Sequence, residues 1–94
     1  MAVALDRRVR ISPEVLHQRV GDETVVLDLV GEQYYGLNAV GSRIWDLLAE
    51  DHTLAQIAEV IAQEFDAPAA QVQEDLRALI TQLVDRGVAV VASE

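Results

Sequence analysis

The chain has 94 residues, 51% of them hydrophobic and 24% charged, with no cysteine and a formal net charge of −9. That describes one soluble domain with a core sufficient for independent folding and little to spare. The lack of cysteine excludes a disulfide framework and a thiolate metal site and fits a reducing compartment, while the acidic balance repels a polyanion and argues against nucleic acid as a partner.

Residues 1–8 read as a flexible N-terminal arm; the stretch Met1 to Arg10 carries arginines but no apolar run of the kind a secretory signal needs. Nor does any segment approach the roughly 20 apolar residues that span a bilayer, so a cytoplasmic protein with no membrane partner is expected. Val9 to Ile11 predicts a short strand, interrupted by Pro13. Val15 to Val20 alternates weakly as a second strand and ends at the turn signal Gly21-Asp22. Thr24 to Val30 is rich in β-branched residues and predicts the strongest strand. Gly31-Glu32 turns the chain, and Gln33 to Leu37, with two tyrosines, returns antiparallel.

Asn38 is placed to cap a helix, because its side chain can accept from a free amide of the first turn. Val40, Ile44, Leu47 and Leu48 share one face of that helix, with Trp45 at the margin. Asp51-His52-Thr53 breaks it, and Thr53 caps a second helix on which Leu54, Ile57, Ala58, Ile61 and Phe65 repeat at helical spacing. Asp66-Ala67-Pro68 ends the second helix and Pro68 begins a third. There Val72, Leu76, Leu79, Ile80 and Leu83 form the stripe, and Gly87 terminates it. Val88 to Val91 is a last short strand. The expected fold class is therefore α+β: an antiparallel β-hairpin or three-stranded sheet, three helices and a short C-terminal strand, in the order of a winged helix-turn-helix.

The same residues carry no recognisable enzyme motif. His17 and His52 fall in different elements with no ligand at metal spacing, and no H-E-x-x-H, P-loop or G-x-S-x-G pattern occurs. Gly31, Gly36 and Gly41 recur every five residues, which suits turns and close packing rather than a phosphate cradle. The expectation is a non-enzyme with no catalytic residue, no metal and no cofactor.

The ordered set Val26-Leu27-Asp28, Tyr34-Tyr35-Gly36-Leu37-Asn38, Gly41, Ile44-Trp45 and Leu47-Leu48, followed by Thr53-Leu54, Ile57, Asp75-Leu76, Leu83 and Gly87, resembles the pyrroloquinoline-quinone biosynthesis protein D family. The resemblance covers about residues 9–91. It implies a recognition domain over those residues for the leader segment of a ribosomally made, modified precursor peptide. It also implies a leader that adds as a strand beside the hairpin, in the groove between the third strand and the third helix. The bound peptide would be presented to a separate maturation enzyme, either a leader peptidase and cyclase or a radical enzyme that uses S-adenosylmethionine. Lasso peptide, pyrroloquinoline quinone and other radical-enzyme products are all compatible with these residues, and the discrete chain and its length favour a lasso-type pathway. A monomer is expected, although an open edge permits dimerisation by strand pairing.

The residues themselves support that mode. Gln33 to Leu37 runs directly into a helix, so nothing in sequence supplies its next neighbour. A free strand edge gives main-chain affinity, with pockets for alternate side chains. Burying two or three leader side chains at ~1.5–3 kcal/mol each, less ordering costs, gives about micromolar binding or better. Expected leader contacts are Gln33, Tyr34, Tyr35, Gly36 and Leu37 on the strand and Asp75, Leu76, Arg77, Leu79, Ile80 and Leu83 on the third helix. Tyr34 and Tyr35 face opposite ways: one belongs to the core and the other to the groove wall. Most of the leucine stripe is core, its edge the groove floor. Asp75 and Arg77 flank it, either as a clamp for a polar leader group or as a solvated face. Asp28 suits a structural contact to a backbone amide or to Asn38, Asn38 a cap, and Trp45 the core. The rival reading is a winged helix-turn-helix transcriptional regulator, which the acidic third-helix start Gln71-Val72-Gln73-Glu74-Asp75 disfavours. A small enzyme or carrier is disfavoured for want of a nucleophile or attachment serine in a motif.

Overall fold

Alternation along the strongest strand fixes which side of the sheet is core. In the computed structural model, which describes residues 4–92, β1 (Val9–Ile11), β2 (Val15–Val20), β3 (Glu23–Asp28) and β4 (Gln33–Leu37) precede α1 (Ala39–Leu48), α2 (Leu54–Glu64), α3 (Ala69–Asp85) and β5 (Ala89–Val91). Thr24, Val26 and Asp28 of β3 are buried while Glu23, Val25 and Leu27 are exposed, the period of two that a half-buried antiparallel strand requires. β2, β3 and β4 form one antiparallel sheet in that order. Its inner face receives α1, and α2 and α3 pack on one another behind it. Trp45, Leu54, Ile57, Ile61, Leu76 and Ile80 lie fully buried at the centre. The architecture is the expected α+β one.

A second sheet closes the domain. β1 pairs antiparallel with β5, Val9 opposite Val91 and Ile11 opposite Ala89. The two strands are nearly the whole chain apart, so no local signal announces this pairing. Residues 1–3 of the expected arm lie outside the described residues. Its next residues are tied down: the carbonyls of Leu5 and Arg7 accept from the amides of Ala55 and Leu54 at 2.8 and 2.9 Å. Those amides belong to the first turn of α2, where no intrahelical acceptor exists.

Caps set the helix boundaries. Asn38 Oδ1 accepts from the Gly41 amide at 2.8 Å. Thr53 forms a full capping box with Gln56. Gly87, at φ +74°, takes the left-handed conformation that ends α3, a conformation other residues adopt only at a cost. Phe65 does not continue the α2 stripe; it is the C-cap residue and is 40% exposed. Trp45 is buried with His17 edge-on to its ring at 5.7 Å, and its Nε1 has no hydrogen-bond partner among the described residues. Across the outer surface Arg43 binds Glu64 in a two-pronged pair at 2.8 and 2.9 Å, tying α1 to α2. That hydrogen bond holds the Glu64 carboxyl below the usual carboxylate range, so its small contribution to stability is present above that range and fades as pH falls through the lowered value.

β3 stops at Asp28 rather than Val30. The buried Asp28 Oδ1 accepts from the amides of both Val30 and Gly31 at 3.1 Å, a side-chain-to-backbone pattern that bends the chain into a turn. Gly31 is bound to this turn by space: a Cβ there would stand 2.6 Å from Asp28 Oδ2. Gly31→Ala is expected to push the carboxylate off its amides and leave it buried without partners. The loss should be about 1–3 kcal/mol in urea denaturation; an unchanged midpoint would show that the turn has another support.

Candidate peptide-binding groove

Among the described residues, the strand order leaves β4 at the edge of its sheet, with β3 on one side and no strand on the other. α3 runs past that free edge, and between them lies a cavity of about 360 Å³ lined by Gly36, Leu37, Asn38, Val40, Gly41, Ile44, Asp75 and Leu79. Leu37 and Ile44 are buried, Val40 and Leu79 half-buried, and Gly36 and Asp75 exposed. The groove thus has an apolar floor and a single carboxylate in its lining. Asp75 also accepts from Gln71 Nε2 at 2.9 Å, one turn earlier.

Helix geometry sorts the α3 residues. At 3.6 residues per turn each step rotates about 100°, so Asp75 and Arg77 stand on opposite flanks of the stripe. Asp75 reaches the groove; Arg77 is exposed and does not line it. Leu76, Ile80 and Leu83 take the centre, with relative exposures of 0, 0 and 4%. These three, expected as leader contacts, lie sealed in the core and are absent from the groove lining. Leu79, about 60° off that centre line, is the stripe residue at the groove.

β4 divides its tyrosines as alternation demands. Tyr35 sits opposite Val26 on the inner face, half-buried, with its hydroxyl donating to Gln33 Oε1 at 2.6 Å. Tyr34 points outward and is 77% exposed. Gln33 is exposed at the start of the strand. The guanidinium of Arg86, the C-cap residue of α3, lies 4.8 Å from the centre of the Tyr35 ring, within cation–π range, and joins the end of α3 to β4 outside the groove lining. Its signal was in the sequence: Asp75, Leu79, Gln82 and Arg86 recur at steps of four, three and four, one flank of a helix.

The model of the family described as coenzyme PQQ synthesis protein D (PqqD) matches residues 23–89, from β3 to the first residue of β5. The chain belongs to the PqqD family. Two solved structures resemble this PqqD-family chain throughout. One is TbiB1 in complex with the TbiA(beta) leader peptide, with a TM-score of 0.82 and 34% identity over 90% of this chain and 99% of that one. The other is lasso peptide synthetase B1 complexed with the leader peptide, with a TM-score of 0.80 and 26% identity over 88% of this chain and 98% of that one. Among curated proteins, none matches this PqqD-family sequence. Among the described residues, no helix is long and apolar enough to cross a membrane.

Proposed function

We propose that this chain is a non-catalytic peptide chaperone of lasso-type biosynthesis. Residues 9–91 form the recognition domain. The leader of a ribosomally synthesised precursor adds as a strand along the free edge of β4 and sends alternate side chains into the groove against α3. The observation that carries this reading is the unpaired β4 edge facing Leu79 and Asp75 across an apolar groove. It is supported by the likeness over nine-tenths of the chain to a protein solved with a leader peptide. Main-chain pairing holds the peptide and the groove selects among side chains. The held peptide is then handed, in the cytoplasm, to a maturation enzyme such as a leader peptidase working with a cyclase.

Calorimetric titration with the leader half of the precursor encoded beside this chain tests the proposal. Binding at about micromolar Kd or tighter is expected, with none to a scrambled leader and no turnover of the peptide. Absence of binding to the intact leader would sink the reading.

A further inference from the structure

Gly36 occupies the middle of β4, where glycine weakens a strand because it has no side chain to pack and more conformational freedom to lose. Three features inside a protein can require it there, and each is missing. The backbone does not need it: the glycines at positive φ are Gly21 and Gly87. There is no bulge, because Thr24, Val25 and Val26 pair one-to-one with Leu37, Gly36 and Tyr35. Nor is there crowding, since a Cβ at Gly36 would meet nothing within 4 Å. Among the described residues, then, nothing explains the glycine. The remaining reason for a strand glycine is close approach by a ligand or another backbone, and Gly36 lies on the open edge, at the lip of the groove.

We propose that Gly36 is the point where the bound leader comes closest to the sheet, and that a large apolar leader side chain crosses its bare backbone to lie against Val25 and Tyr34 on the sheet's outer face. The register places these residues together. Val25 is opposite Gly36, and Tyr34 is two positions earlier on the same face; they are 39% and 77% exposed. A strand added beside β4 points alternate side chains to opposite faces. One set enters the groove toward α3, and the other set emerges on the outer face, where the missing Cβ leaves a seat. Gly36 is therefore a specificity-determining residue that acts through what it lacks. The inference rests on the leader-binding reading and extends it to leader positions that the groove does not read.

The test is titration of the precursor leader, and of single-alanine variants along it, into the wild type, Gly36→Ala and Gly36→Val, each checked by circular dichroism and thermal denaturation. Gly36→Val is expected to be folded with an unchanged or higher Tm, because valine suits a strand, yet to bind the leader at least about tenfold more weakly, with alanine between. One apolar leader residue should lose most of its alanine effect in the Gly36→Val background, the mark of direct coupling between the two sites. Wild-type affinity in Gly36→Val would overturn the inference while leaving the leader reading intact. Unfolding of Gly36→Val would overturn it as well, by showing that the chain itself needs the space. Failure of the wild type to bind would remove both readings.

Discussion

Leu79→Arg is expected to weaken leader binding about 10- to 100-fold while the domain remains folded. Leu79 is half-buried and lines the groove with Leu37 and Ile44. A leader side chain resting on it loses an apolar contact worth about 1.5–3 kcal/mol when leucine is removed, and each 1.4 kcal/mol is about a tenfold change. The new guanidinium adds an obstruction. Asp75 stands one turn earlier in the same groove, and a cation four residues on is well placed to pair with it, laying a charged side chain across the space the peptide needs. The fold tolerates this because Leu79 is not sealed. Calorimetry and thermal denaturation together check both halves; full affinity in a folded Leu79→Arg protein would put the leader elsewhere on the surface.

Leu76→Ala is expected to do the reverse, costing stability while touching the peptide only through the fold. Leu76 is completely buried, three residues before Leu79 on the same helix. Truncation of such a leucine costs about 2–5 kcal/mol through lost burial and the cavity left behind, against a total of roughly 5–15 kcal/mol for a domain. Leu76→Arg should not fold at all, since it strands an unpaired charge in the core. Urea denaturation reads the loss, and titration below the transition should recover near-native affinity for Leu76→Ala. A stable Leu76→Ala protein that no longer binds would mean that Leu76 faces the peptide.

The pair shows where sequence reasoning runs out. Spacing placed Leu76, Leu79, Ile80 and Leu83 on one apolar stripe and could not say which member lay at its edge, because that depends on how α3 is rolled against α2 and β4. Helix geometry could have separated Asp75 from Arg77, which a helix cannot aim the same way, yet both stood as expected contacts, and the four-three-four step to Arg86 went unread. Strand bounds for β2 and β4 and the caps at Asn38 and Thr53 were readable because short-range chemistry decides them. The early end of β3 was not, because Asp28 bends the chain by accepting two amides within three residues, and nothing in β-propensity foretells that. The closure of β1 on β5 was invisible for another reason: its two strands are three residues each and are brought together only by everything between them.

That closure also decides how the domain can be joined to others. With Val9 opposite Val91 and the Ala92 amide bonded to the Arg8 carbonyl at 2.8 Å, the polypeptide enters and leaves at one doorstep, and no residue of β1 or β5 lines the groove. Neighbouring ends let a domain be spliced into a larger polypeptide or permuted without breaking its interior. This unit can therefore be tethered at either end, or inserted into a surface loop of a larger protein, with the β4 edge and its groove still free.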